Sequence, residues 1–158
     1  MGNNTNYCIV LSPAKTLRSN LKVANKNYSM PVFLERAKLL ANQLKSYDPF
    51  ELKRLLGVSQ DIADLNFTRY AHWHLPFTPE NSAPAILTFA GDVYEGLLAT
   101  DFTDEEMAFS NRIIFILSRL YGVLRALDLM QPYRLEMGCK IQVGQHKSLY
   151  DFWGDSIT

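Results

Sequence analysis

Three short apolar runs frame the chain: Tyr7-Cys8-Ile9-Val10-Leu11, Ala85-Ile86-Leu87-Thr88-Phe89 and Ile113-Ile114-Phe115-Ile116-Leu117. Each is a near-continuous stretch of apolar and β-branched side chains, so each reads as a buried strand. Between them lie segments of helical period. After Pro31, residues Phe33, Leu34, Ala37, Leu40, Ala41 and Leu44 recur three and four apart and predict an amphipathic helix. Asp48-Pro49-Phe50-Glu51 is a capping-box pattern with proline at the first helical position. It opens a second helix with Phe50, Leu52, Leu55 and Leu56 inward and Gly57 as its left-handed stop. Ser59 caps a third helix that turns Ile62, Ala63, Leu65, Phe67 and Tyr70 toward the core. Thr103-Asp104-Glu105-Glu106 repeats the box before a helix reaching about Asn111. A short helix over 93–98, a helical segment over 121–129, an alternating strand over 133–137 and a turn region over 139–146 complete the reading. Residues 18–30 and the proline-rich 75–84 read as connections. Strands alternating with helices predict an α/β class, a mixed α+β layered fold, in one domain spanning 1–158.

Composition removes several alternatives. With 158 residues, 47% hydrophobic and 20% charged, the chain has the profile of a globular domain with a real core. No apolar run approaches the ~18 residues that a membrane helix needs. The start, Met1-Gly2-Asn3-Asn4-Thr5-Asn6, is polar and uncharged, unlike a secretory leader. Two cysteines, Cys8 and Cys139, make neither a disulfide framework nor a zinc site, and a reducing cytoplasm follows as the expectation. The formal net charge is zero, yet residues 1–60 carry nine Lys/Arg against three acids and residues 61–158 carry seven against thirteen. Such a split fits a polyanion-facing surface, and it equally fits two halves that neutralise each other.

Several residues stand where chemistry is commonly placed. Lys15 follows the first strand, at the kind of edge where α/β folds bind ligands, as either a phosphate contact or a solvated lysine. Asp92, with Tyr94, follows the second strand, as a general base or as the cap of the next helix. Arg134 and Glu136 share one face of the alternating segment; with Arg125 and Asp128 they line a cleft or form structural ion pairs. His72 and His74 flank Trp73 at a spacing that points apart on a helix, and no metal or cofactor is expected. Cys8 reads as a packed thiol. Cys139, beside Lys140, is either incidental or activated by that cation.

Four motifs, in order, carry a resemblance. They are Ser12-Pro13-Ala14-Lys15-Thr16; Phe89-Ala90-Gly91-Asp92-Val93-Tyr94-Glu95-Gly96-Leu97; Leu120-Tyr121-Gly122-Val123-Leu124-Arg125 continuing through Leu127-Asp128 and Pro132 to Gly138; and Leu149-Tyr150-Asp151-Phe152-Trp153-Gly154-Asp155. Together the set resembles the peroxide stress resistance protein YaaA family. That resemblance implies a cytoplasmic bacterial protein that limits free iron and protects DNA under peroxide. It implies a fold peculiar to the family, with duplex DNA held without strong sequence preference by a basic cleft and a helix-hairpin-helix element, here near residues 49–71. Lys53, Arg54, Gly57, Val58, Ser59, Arg69 and Lys15 would make the phosphate contacts, with Ser59 where such hairpins usually carry a second glycine. Members of the family continue past the last motif, so the chain is expected to lack a C-terminal portion. The alternative is an enzyme acting on a nucleotide or nucleobase, with Lys15, Asp92, Tyr94, Arg134 and Glu136 in one cleft.

Overall fold

The structure, a computed structural model, describes residues 7–21, 23 and 27–158. The polar start and part of the 18–30 connection fall outside those residues. Among the described residues the order is β1 (Ile9–Leu11), α1 (Leu34–Lys45), α2 (Pro49–Leu56), α3 (Gln60–His72), β2 (Ala83–Pro84), α4 (Ala85–Thr88), α5 (Asp92–Leu97), a 3-10 turn (Ala99–Asp101), α6 (Asp104–Ile113), β3 (Ile114–Ser118), β4 (Gly122–Arg125), β5 (Leu129–Met130) and α7 (Leu149–Trp153). The class is mixed α/β, with seven α-helices and two small sheets. No helix among these residues is long and apolar enough to cross a membrane. The chain divides into two compact units. One comprises Met1–Val32, Phe77–Ser118 and Val123–Met130; the other comprises Phe33–Pro76, Arg119–Gly122 and Gln131–Thr158.

In the first unit β3 is the central strand of a three-stranded sheet ordered β1-β3-β4. β1 runs parallel to it, with Ile9 opposite Ile114 and Leu11 opposite Ile116. The expectation of a buried first strand is corrected: Ile9 is 43% exposed and Val10 57%. An apolar run suits an edge strand as well as a central one, because pairing on one side already satisfies its β preference. The run at 85–89 is also not a strand. Ala83–Pro84, just before the run, pair antiparallel to Leu129–Met130, and the chain then winds into the single turn of α4. The Thr88 hydroxyl donates to the Pro84 carbonyl at 2.9 Å and holds that turn. Residues packed on almost every side show no period, so pattern alone could not separate the two.

Residues 121–129 differ for the same reason. Read as a helix, they form β4, a tight turn and β5. Asp128 closes the turn. Fully buried, it accepts from the Arg125 backbone N–H at 2.8 Å, from Arg125 Nε at 3.1 Å and from the Ser29 hydroxyl at 2.6 Å. Arg125 also reaches the Met30 carbonyl at 2.9 Å, and Asn111 accepts from the Leu127 N–H at 2.9 Å. A buried carboxylate is tolerated when charge and hydrogen bonds surround it, as here.

The second unit is built on helices. α1 buries Ala37, Leu40, Ala41 and Leu44, as its spacing predicts, and α3 packs against both α1 and α2. Each leucine so buried contributes roughly 2 kcal/mol. The inward face of α3 is Ala63, Asn66 and Tyr70, while Leu65 and Phe67 are exposed. On α2, Leu52 and Leu56 are inward and Phe50 is 70% exposed. The segment 133–137 keeps its alternation, with Tyr133 and Leu135 buried, but pairs with no strand; the Tyr70 hydroxyl donates to the Arg134 carbonyl instead. Trp73 Nε1 donates to the buried Tyr121 hydroxyl at 3.0 Å, which in turn donates to the Gln131 carbonyl at 3.0 Å. Phe152 and Trp153 of α7 are buried, and Trp153 Nε1 donates to the Arg119 carbonyl at 2.8 Å. Gly122 lies under this tryptophan with φ +75°; a Cβ there would come within 2.8 Å of the Trp153 ring and 3.1 Å of Phe33.

Candidate nucleic-acid interface

α2 and α3 form a tight helical pair. The Asp48 carboxylate accepts from the Glu51 N–H and the Glu51 carboxylate from the Asp48 N–H, both at 2.8 Å, so the predicted capping box is present. Gly57 ends α2 in the left-handed region, φ +63° and ψ +43°, with its N–H on the Lys53 carbonyl at 3.0 Å. The Val58 N–H reaches the same carbonyl at 3.3 Å, so that one acceptor of the last turn takes two donors as the chain reverses. Ser59 is then the cap of α3, its hydroxyl accepting from the Ile62 N–H at 3.4 Å. One helix end and the next helix start thus lie within three residues.

Lys53 and Arg54, on the last turn of α2, are exposed. They complement the negative end of the α2 dipole and stand beside the positive end of α3. Arg69 differs from them. It is partly buried, and one guanidinium nitrogen reaches the buried Asn66 carbonyl oxygen at 3.4 Å. Burial holds its pKa below the ordinary arginine range, and the Arg134 charge adds to that push. Two acids, Asp61 and Asp64, are exposed on the first turns of α3, with Gln60 Nε2 donating to Asp64 at 2.8 Å.

The charge asymmetry between sequence halves fades in three dimensions. The second unit carries ten Lys/Arg against eight acids, and the first carries six against eight. Lys15 and Arg18 share a unit with the acid-rich 77–118 stretch. A polyanion would therefore meet local clusters rather than a basic half of the chain.

The remaining candidates fall into separate groups. Lys15, Asp92 and Tyr94 belong to the first unit, where their two motifs are laced together. Leu17 bridges Phe89, the Arg18 N–H donates to the Thr88 carbonyl at 2.8 Å and the Ala90 N–H to the Thr16 carbonyl at 2.9 Å. The Arg18 guanidinium holds the Leu87 and Phe89 carbonyls at 3.2 and 2.9 Å. The Tyr94 hydroxyl is engaged with the Ser12 carbonyl at 2.6 Å, while Lys15 and Asp92 are exposed. Asp92 does not cap α5, because Gly91 holds the cap position with φ +118° and no side chain serves it. Sequence reasoning missed this lacing; a bridge of isolated residues leaves no periodic trace. Arg134 and Glu136 belong to the second unit and form an ion pair at 3.3 Å, while Arg125 pairs with Asp128 in the first.

His72 and His74 are exposed, each ring bonded to a backbone carbonyl, at Thr68 and His72 respectively. Among the described residues no group of three or more His, Cys, Asp or Glu is placed to hold a metal ion. The expectation of a packed Cys8 is corrected. Cys8 is exposed and Cys139 buried, and burial pushes the Cys139 thiol up despite Lys140 next to it. Cys139 is therefore not an activated thiol.

The sequence matches the family described as Peroxide stress protein YaaA over residues 7–158, nearly its whole length. The chain therefore belongs to the peroxide stress protein YaaA family.

Proposed function

We propose that this member of the YaaA family binds duplex DNA without strong sequence preference, as part of a peroxide response that keeps iron low and DNA intact. The observation that carries the reading is the α2–α3 turn. Gly57 reverses the chain, Ser59 starts α3, and Lys53 and Arg54 stand exposed at the same point. Read as a helix-hairpin-helix, the turn would grip a phosphate with backbone N–H groups, the helix dipole and neighbouring cations. Val58 spaces the turn and Arg69 completes the proposed contact set of this unit, while Lys15, in the other unit, is proposed as a separate phosphate contact. Such contacts position a duplex but read no bases. The site is cytoplasmic in this reading, since that is where the DNA lies.

The test is fluorescence anisotropy of a labelled duplex with the whole chain at two salt concentrations. Affinity should fall steeply with salt, with a slope of roughly −0.9 for each phosphate neutralised, and change little with sequence. A folded sample that does not bind, or binds without salt dependence, would remove the reading. The second reading, an enzyme acting on a nucleotide or nucleobase, draws on the laced motifs that hold Lys15 and Asp92 exposed on neighbouring segments. Turnover of such a compound that Asp92→Asn abolishes would put it first.

A further inference from the structure

The first unit holds a cavity of about 320 Å³, and every residue that lines it belongs to that unit. Pro84, Met107 and Leu127 are buried and form its floor. Leu87 and Phe102 are half-buried and form its walls. The three polar residues of the lining, Asn27, Thr100 and Asp104, are exposed and mark its mouth. Several of these positions are pinned through the backbone. The Arg18 guanidinium holds the Leu87 carbonyl at 3.2 Å. The Leu127 carbonyl accepts from the Ser29 N–H at 3.0 Å, and the Leu127 N–H donates to the Asn111 carboxamide at 2.9 Å. Thr100 and Phe102 are set by the 3-10 turn, in which the Asp101 N–H donates to the Leu98 carbonyl at 2.9 Å. Leu98 heads that turn at φ +51° and ψ +42°, a left-handed backbone that leucine rarely adopts. Strain of this kind persists where the surrounding structure holds it, and here it sets the mouth of a cavity.

The lining selects a class of ligand. Largely apolar pockets of roughly 300 Å³ and more, with a few polar groups, are the usual seats of small molecules. An apolar cavity of about 150 Å³ takes one benzene ring, so this one has room for two fused rings. Among the described residues no Lys, Arg or His lines it, and Asp104 adds a carboxylate, so an anion finds no partner there. A cation would lose its hydration over the apolar floor. The side chains at the mouth all offer acceptor oxygens, which suits a ligand that donates. Asp104 already has a partner, and a carboxylate has lone pairs for a further donor. Phe102 and Met107 supply an aromatic face and a polarizable thioether for a flat ring. We infer that this cavity binds an uncharged two-ring heteroaromatic compound, its rings on the floor and an N–H directed to Thr100 and Asp104. The inference goes beyond the duplex-binding reading and stands without it.

The test is a titration of the isotope-labelled full chain with indole, followed through the backbone amide shifts in NMR spectra. Saturable shifts should gather at Leu87, Thr100, Phe102, Met107 and Leu127, with a dissociation constant of roughly 0.1–1 mM for so small a probe. Leu87→Trp fills the cavity from its wall and should weaken indole about tenfold or more. If that variant does not fold, Thr100→Trp plugs the exposed mouth and should weaken indole likewise. Indole-3-acetate, the same rings with a carboxylate, should bind roughly tenfold more weakly than indole to wild type. Asp104→Asn should narrow that gap, a result that a purely packing role for Asp104 would not give. The inference is overturned by a folded wild type without saturable shifts, or by shifts that gather away from the cavity. It is equally overturned by unchanged indole affinity in the folded tryptophan variant, by indole-3-acetate binding as tightly as indole, or by a gap that Asp104→Asn leaves untouched.

Discussion

α2 and α6 begin alike and end differently. Both open on a complete capping box, Asp48 with Glu51 and Thr103 with Glu106. α2 closes on a left-handed glycine, with Lys53 and Arg54 in its last turn, and a second helix follows at once. α6 opens with Asp104, Glu105 and Glu106 and runs directly into β3, the central strand of its sheet. The same starting device therefore serves two ends. In the first unit it delivers a strand into a sheet behind an acidic turn that repels a polyanion. In the second it presents a basic turn beside a helix start. What separates the two helices is the chemistry of their far ends.

The strongest way to break the comparison is in the first unit. Asp128→Ala should cost about 3 kcal/mol, because Arg125 and Ser29 lose a buried shared acceptor. Chemical denaturation reads that loss, and duplex binding at the α2–α3 turn should survive wherever the chain remains folded. The matching lesion in the second unit is Gly122→Ala. With φ +75° and Trp153 2.8 Å from the new Cβ, it should cost roughly 2–3 kcal/mol by strain and overpacking. A melting temperature unchanged by Gly122→Ala would show that the Trp153 seat is looser than described.

These two lesions also mark where sequence reasoning ran out. The capped helices were legible because their signals are local: Asp48, Pro49, Gly57, Ser59 and Thr103 each act within four residues. Gly57 as a left-handed stop and Ser59 as a cap were legible for the same reason. The buried strand β4 was read as helix, and the turn of α4 as strand, because residues packed on nearly every side carry no alternation to read. Asp128 was read as lining a cleft or joining an ion pair, and nothing local announced that Ser29 also meets it. Arg69 was read as a phosphate contact, and its partial burial depends on tertiary packing that no local signal announces.

Smaller effects sharpen the contrast. Asp48→Ala and Thr103→Ala should each cost about 1 kcal/mol, the usual worth of an N-cap. Only Asp48→Ala should also weaken duplex binding, since α2 carries Lys53 and Arg54. Equal effects of the two caps on DNA affinity would erase the distinction between the helices. The smallest effect concerns Asp61, an acid in the first turn of α3. Asp61→Asn removes a charge that competes with phosphate and should tighten duplex binding about two- to fivefold at low salt. Weaker binding would mean that the start of α3 does not face the backbone of DNA.

The most direct test reverses charge at the far end of α2. Duplex anisotropy of Lys53→Glu/Arg54→Glu should be compared at low salt with wild type, with circular dichroism confirming that both are folded. The account predicts a loss of about a hundredfold or more and a salt slope shallower by roughly two phosphates. A folded variant that binds duplex as tightly as wild type, with the same slope, would contradict it.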